Sequence, residues 1–289
     1  MKANALVKKQ ARQSLRGKWG VFSAAFLAVI AVLAFVSAIE TFYVVFNIYG
    51  LSAKELMSLF EQLPYMAHVV LGIHLLIITV CLFSLPLLTG TAKMSMDCAC
   101  GRKISCEDFL CFFTRRKFLN TLCFNLGLYI RKLAWLVICI LPCVICIGVA
   151  SIYSRSLGQL GVVLLYIAGI ALLIAGLIAY IFISAKYFLS QYLYAGSDEK
   201  RRLSEPIRTS IKYMKGNHDK YFKLVISFIP WLALSFFILP MFYTYPYINV
   251  SFANSARWLI KLGKEKERAE AFTANMPESL AVPVGDTVC

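Results

Sequence analysis

Four cysteines stand close together in one basic stretch of the sequence, at Cys98, Cys100, Cys106 and Cys111. Clustered thiolates are typical of zinc sites, but structural zinc sites use paired C-x-x-C spacing, and this stretch has C-x-C followed by two isolated cysteines. Those two cysteines also fall on a predicted amphipathic helix. We therefore expect no metal, and we interpret the ten cysteines of the chain as reduced thiols.

Ionisable groups inside apolar segments are another sign of chemistry, because a charge in a bilayer is costly and is kept for a function. Only Glu40 and His74 qualify, and we interpret both as structural. His68 and His74 are six positions apart, so on one helix they do not form a chelating pair. His218 and Asp219 have no evident nucleophile or acid partner. No H-E-x-x-H, G-x-S-x-G or phosphate-binding glycine motif occurs in the sequence. We therefore expect neither an enzyme nor a bound cofactor.

The composition identifies the class of protein. The 289 residues are 60% hydrophobic and 16% charged, with a mean hydropathy of +0.70, whereas soluble domains average about 45–50% and 25%. The sequence therefore predicts an integral membrane protein of the all-α class, a polytopic bundle of transmembrane helices. Its net charge of +15 would suggest nucleic acid in a soluble chain. Here we interpret the charge as a topology signal and expect no nucleic-acid partner.

Crossing a hydrocarbon core of about 30 Å takes roughly 20 apolar helical residues. Four runs meet this length. A further region, 224–256, has 33 residues without a charge, which is long for one span and slightly short for two. We predict that it crosses twice, with a turn between Pro240 and Pro246. This gives six predicted spans, near 20–43, 68–89, 132–150, 161–184, 222–240 and 243–260.

The distribution of basic residues decides between five and six spans. The positive-inside rule places short loops rich in Lys and Arg in the cytoplasm. With six spans, every basic segment falls on one side, and the two loops on the other side hold one basic residue each, Lys54 and Arg155. We therefore expect a multi-pass protein of a bacterial plasma membrane with both termini cytoplasmic. Residues 1–262 form the membrane domain, and 263–289 form a flexible cytoplasmic tail.

Three short amphipathic helices with basic faces are predicted on the cytoplasmic side. They cover the leader, which closes at Gly17, the segment that begins at Ser105, and residues 203–216, where Gly216 can end the helix. Such helices lie on an anionic membrane surface or pack under the bundle. Each precedes a pair of spans, which indicates three copies of one unit. We predict contacts with anionic lipid headgroups or an unknown membrane protein at Arg115, Arg116, Lys117, Arg208, Lys212 and Lys215.

The fourth predicted span carries a stripe of small residues at Ala171, Ala175 and Ala179, with Gly176 beside it. Membrane helices approach closely where small residues repeat every fourth position. The stripe therefore predicts a helix-packing face.

Several short motifs together form a recognisable pattern. One precedes the first span, one lies inside the third, and the most specific runs from Pro206 to Trp231. The residues of the pattern are Ala11-Arg12-x-x-Leu15-x-Gly17-x-Trp19, Leu141-Pro142, Ser210, Met214, Gly216, Tyr221-Phe222, Leu224, Ser227-Phe228-Ile229, Trp231 and Pro246-Tyr247. The pattern resembles an uncharacterised family of bacterial integral membrane proteins, domain of unknown function 975, and the chain departs from it at Cys143, Lys186 and Pro230. The resemblance implies a multi-span membrane protein and no established activity.

These observations favour a non-enzymatic membrane protein that acts through membrane or protein contacts of its basic cytoplasmic face. The alternative is a transporter or permease-like subunit for a neutral, lipidic or peptide substrate, whose pathway would need no buried charge. A polar cavity that reaches the middle of the bilayer would favour the alternative.

Overall fold

The structure is a computed structural model that describes residues 2–48, 63–153, 158–197, 202–235 and 238–274. These residues are helical and contain no strand. A short 3₁₀ helix, Cys111–Phe113, joins the fourth and fifth α-helices. The α-helices are α1 (Lys2–Ser14), α2 (Trp19–Ile48), α3 (Leu63–Ala99), α4 (Cys106–Leu110), α5 (Arg115–Ile152), α6 (Gly158–Ala185), α7 (Ser190–Ala195), α8 (Glu205–Met214), α9 (His218–Ile226), α10 (Ile229–Leu234) and α11 (Ile238–Ala274).

Four helical stretches are long and apolar enough to cross a membrane, and they suggest a membrane protein. They correspond to the first four predicted spans. In the apolar windows of the third and fourth stretches, only 11% and 6% of the residues are buried inside the chain, as expected of surfaces that face lipid. The stretches are Trp19–Ile39, Ile77–Ala99, Lys117–Ile152 and Gly158–Ala195.

The last apolar region has a different form from the two predicted spans. Its first part is divided into α9, of nine residues, and α10, of six, so neither helix reaches the length needed to cross a bilayer. Pro230 lies in the first turn of α10, where proline begins a helix without loss of a hydrogen bond. Pro246, which we expected near a turn, lies inside α11. The break therefore comes earlier than predicted.

Ring contacts place the start of α11 beside the first turns of α2. Trp19 stacks on Tyr243 with ring centroids 4.7 Å apart, and Phe26 stacks on Tyr245 at 4.3 Å. Because α11 begins at Ile238, it extends only about 8 Å beyond Tyr243. The start of α11 thus lies beside the first turns of α2.

The buried core lies at one end of the spans, which we call the basic end. There the last turn of α3 and the first turn of α2 meet α1, α4, α9 and α11, and the loops rich in Lys and Arg come together. α3 and α11 contact the most helices at this end, and α11 packs on α1, α2, α3 and α8. The fully buried residues of α11 are Tyr247, Val250, Ser251, Ala253, Ala256 and Leu259.

α1 packs on α11, α4 on α3, and α8 on α7. The interpretation of these helices as parts of three related units stays a prediction. Gly17 and Gly216 both have positive φ, 75° and 81°, and follow α1 and α8, with a buried residue, Leu15 or Met214, two positions before each glycine. The predicted helix ends at these two glycines are confirmed.

The hairpin of α5 and α6 packs through glycines of α6. A Cβ atom at Gly176 would overlap the backbone carbonyl of Cys139, and one at Gly169 would lie 3.2 Å from the side chain of Ile147. The predicted packing residues Ala171, Ala175 and Ala179 are exposed and do not form this contact. Their role as a packing face therefore stays a prediction for a contact outside the described chain.

The position of α11 predicts the topology of the last apolar region. On a cysteine-free background, an impermeant thiol reagent applied at the end opposite the basic end should label Leu160→Cys, which lies exposed at the start of α6. The same reagent should not label Met241→Cys, because this residue lies two positions before Tyr243, whose ring stacks on Trp19. Labelling of Met241→Cys from that side would contradict this position and support six spans.

The glycine contact predicts a stability difference between two substitutions in the same hairpin. Gly176→Ala forces α5 and α6 apart and should lower the stability of the hairpin by about 1–3 kcal/mol. Gly148→Ala is the matched control, because a Cβ atom there meets no atom within 4 Å. Thermal unfolding in one detergent compares the two variants, and equal melting temperatures would contradict the packing.

Candidate functional site

Several lysine and arginine side chains at the basic end bind backbone carbonyls at helix ends. Lys8 Nζ donates to the carbonyl of Ser227, which caps α9, at 2.8 Å. Arg257 donates to the carbonyl of Ala99, the last residue of α3, at 2.9 Å. The C-terminal end of a helix carries a partial negative charge, so these positions favour cations. Each bond also joins segments that are far apart in sequence.

Other cations lie over aromatic rings. The Lys8 ammonium lies 4.3 Å from the ring centroid of Phe228, and the Arg12 guanidinium lies 5.2 Å from that of Tyr247. Lys220 lies 4.5 Å from the ring of Trp258. Ring faces attract cations through their quadrupole, most strongly where water is excluded. Backbone carbonyls and aromatic rings thus stabilise some of the Lys and Arg side chains at the basic end.

A groove of about 420 Å³ runs along α1, and we call it the α1 groove. Tyr247 of α11 contributes one wall, and none of the described residues that line it is acidic. Burial, and secondarily repulsion from Arg12, lower the pKa of Lys8. The groove therefore has an excess of positive charge close together. Its polar lining residues are Lys8, Lys9, Arg12, Gln13, Arg16 and Tyr247.

A second cleft, of about 680 Å³, lies between α8 and α11. It contains both signs of charge. Lys212 and the hydroxyl of Tyr213 each bind the carboxylate of Glu267 at 2.8 Å. The hydrogen bond from Lys212, and then that from Tyr213, lower the pKa of Glu267, and the same carboxylate raises the pKa of Lys212. This cleft is thus partly neutralised by its own ion pair.

A third and smaller cleft, of about 210 Å³, lies between the end of α3 and the start of α5. Lys93, Lys117 and Arg202 line it, together with Cys111. Lys93 also lies 3.6 Å from a carboxylate oxygen of Asp108. Burial raises the pKa of the Cys111 thiol, and the nearby Lys93 opposes that rise. The thiol therefore favours its neutral form.

The predicted contact residues of α8 are exposed, whereas its apolar face is packed inside the chain except at Ile211. Arg208, Lys212 and Lys215 face outward. Ile207 packs with Phe124, Leu128 and Tyr187, and Met214 packs with Leu189, Ala256 and Leu259. Of the two predicted arrangements, α8 therefore adopts the one in which it packs under the bundle. Lys117 lines the third cleft, and the side chains of Arg115 and Arg116 lie outside the described residues.

Sequence reasoning did not single out the α1 groove. The basic residues of α1 repeat at helical spacing beside Ala11 and Leu15, both of which are fully buried. This spacing could have indicated that the basic residues share one face of the helix. The contribution of Tyr247 could not be read from spacing, because it comes from the other end of the chain.

The residues first considered for chemistry are spread apart. Cys98 is buried and donates to the carbonyl of Ser14 at 3.2 Å, whereas Cys100 and Cys106 are exposed. Among the residues that the structure describes, no three His, Cys, Asp or Glu residues are grouped as metal ligands would be. The side chains of Glu40, His68 and His74 lie outside the described residues. The expected absence of metal and cofactor stays a prediction.

The ion pair of the second cleft predicts a pH dependence. A carboxyl with a lowered pKa contributes stability above its unfolded value, near 4.3, and loses it as pH falls through the lower folded value. The protection of the α8 amides, measured as their exchange rate relative to that of the unfolded chain at the same pH, should therefore decrease as pH falls below the unfolded pKa of the carboxyl. Glu267→Gln should remove that step, and Glu270→Gln, the matched control, should retain it. An identical profile in all three proteins would contradict the role of Glu267.

Comparison with known proteins adds a family and no activity. Neither the comparison with curated proteins nor that with solved structures gives a match. Residues 1–257 match the family described as "Protein of unknown function (DUF975)". The match covers all helices up to the middle of α11, including the α1 groove and the predicted motif from Pro206 to Trp231. Because it extends over most of the chain, the protein belongs to this family of unknown function.

Proposed function

We propose that this is a non-enzymatic integral membrane protein whose basic end faces the cytoplasm and binds anionic lipid headgroups. One observation carries the proposal. Most basic side chains of α1 and α8 stand on the outside, whereas Ala11 of α1 and Ile207 and Met214 of α8 are buried within the chain. Leu6 and Ile211 are the large apolar side chains that these two helices expose, so they offer a membrane more charge than apolar surface.

The energetics favour electrostatic attraction over insertion of these helices. Each Lys or Arg near an anionic surface contributes about 1 kcal/mol, and the attraction falls as salt is added. Insertion of α8 would expose Ile207 and Met214 by breaking their contacts with α5, α7 and α11. Burial of a large apolar side chain is worth about 1.5–3 kcal/mol, so their contacts inside the protein compete with lipid.

The orientation follows from the positive-inside rule. The basic segments that the rule counts come together at the basic end, where α1 begins the described chain and α11 ends it. In a bacterial plasma membrane this end would lie in the cytoplasm, with both termini on that side. If the last apolar region enters and returns, the same arrangement needs only four crossings.

A second candidate function is transport of a neutral or lipidic substrate. It draws support from an apolar groove of about 470 Å³ between α2 and α3, lined by Val32, Phe35, Val80 and Leu87, with Thr79 and Ser84 as polar groups. Such a groove fits an acyl chain better than a charged solute. Substrate-dependent uptake into vesicles that contain the protein would favour this function.

Lipid composition and salt test the leading proposal. The full-length protein, reconstituted in mixed vesicles, should concentrate spin-labelled anionic lipid over zwitterionic lipid at its surface. This preference should fall with added salt and in Arg208→Gln/Lys215→Gln. The matched control, Arg208→Lys/Lys215→Arg, keeps the charge and should keep the preference. Equal amounts of anionic and zwitterionic lipid at the protein surface, unchanged by added salt, would contradict the proposal.

A further inference from the structure

Four basic side chains and one amide converge on the α1 groove. Lys8, Arg12 and Arg16 follow one another at four-residue spacing, and Lys9 and Gln13 line the same groove. Lys8 is fixed by the Ser227 carbonyl, while Lys9 and Arg16 are exposed. Phosphate is the anion that such a set recognises best, because an arginine fork binds two of its oxygens and lysines add point charges.

An aromatic cluster places this groove at the level of lipid headgroups. Tyr243 stacks on Trp19, the first residue of the first apolar stretch, and lies 5.8 Å from the ring of Trp231. Trp231 in turn lies 5.3 Å from Tyr247 in the wall of the groove. Trp and Tyr are enriched where a membrane protein crosses from hydrocarbon to headgroups. The groove thus opens beside the membrane interface.

Tyr247 provides an independent sign of a ligand. The residue is fully buried, and its hydroxyl has no hydrogen bond of standard length and angle; the Arg12 guanidinium lies 5.2 Å from the centroid of its ring. Buried hydroxyls are nearly always paired, because an unpaired one loses its bonds to water without replacement. A phosphate oxygen would accept this hydrogen bond once the Arg12 side chain turns toward the phosphate and uncovers the hydroxyl.

The surface next to the groove is apolar. α10 begins directly after Phe228, whose ring lies under Lys8, and it exposes Ile229, Leu232 and Leu234. A soluble phosphate compound has no apolar part to contact these side chains. A lipid bound by its phosphate would pack its acyl chains against them. The charged groove and the apolar side of α10 together favour a lipid.

We infer that the α1 groove holds the phosphate of one anionic glycerophospholipid, with its acyl chains along α10. The inference rests on the proposed function and narrows it to one site. Arg12 and Lys8 hold the phosphate, Tyr247 donates its hydroxyl from the wall, and Lys9 and Arg16 close the open side. The bound charge also relieves the repulsion between Lys8 and Arg12.

Native mass spectrometry of the full-length protein, titrated with phosphatidylglycerol and phosphatidylcholine, tests this site. One phosphatidylglycerol should bind more tightly than the rest. Lys9→Gln/Arg16→Gln should weaken that binding about thirty-fold, from the loss of two cations near a headgroup. Lys264→Gln/Arg268→Gln is the matched control, since it removes the same two residue types at exposed positions of α11 and should leave the binding unchanged.

Tyr247→Phe separates binding from folding. It removes only a hydroxyl without a partner, so it should weaken the tight lipid without lowering the melting temperature of the lipid-free protein. A lower melting temperature with unchanged lipid affinity would mean that the hydroxyl serves the fold, which would overturn its role in the site.

The outcomes distinguish this inference from the proposed function. If salt-sensitive preference for anionic lipid persists while the groove variants match the control, the groove site is wrong and the general function stands. If no anionic preference exists, both fail. If inorganic phosphate or glycerol phosphate displaces the tight lipid at a concentration where equal ionic strength of chloride does not, the groove takes a soluble anion and the assignment to lipid is overturned.

Discussion

The basic end is held together by cations that bind helix-end carbonyls and aromatic rings. The chain has 30 Lys and Arg against 15 Asp and Glu, so carboxylates cannot pair with most of the positive charge. A helix that ends at this face offers carbonyls that its own backbone leaves free, and its dipole attracts cations to them. Lys8 and Ser227, and Arg257 and Ala99, are joined in this way. Both bonds connect segments far apart in the sequence, and the bond from Lys8 to Ser227 helps to fix the position of α1.

α11 carries several fully buried residues, although it is less apolar than the spans. Small residues allow α1, α3 and α8 to pack closely on α11. Ser251, Ala253 and Ala256 are buried, and at Gly263 a Cβ atom would overlap the ring of Tyr213. Close approach needs small side chains, and protein interiors leave little room to spare. α1, α3 and α8 can therefore all pack on one helix and place their charged faces outward around it.

The sequence predicted the elements better than their arrangement. Helical length and apolar runs located the four stretches able to cross, and Gly17 and Gly216 marked helix ends because their positive φ suits glycine. The arrangement of the last apolar region was harder to predict, because an uncharged run has the same composition whether it crosses a bilayer or packs against other helices at the basic end. At the site, the residue spacing on α8 predicted that Arg208 faces outward. The α1 groove includes Tyr247 of α11 as well, and no local sequence pattern predicts a contact between residues so far apart in the chain.

An amphipathic helix can insert its apolar face in lipid or pack that face inside the protein, and the two arrangements have the same sequence pattern. Which one occurs determines how the helix binds a membrane. An apolar face inserted in lipid binds by burial, which salt does not weaken. In this chain Leu15 of the leader and Met214 of α8 are fully buried in the protein, so that face is already occupied. The basic face remains, and its attraction depends on ionic strength and on the charge of the leaflet. Since helix packing fixes the spacing of these charges, the end can recognise a headgroup by the placement of its cations as well as by their number.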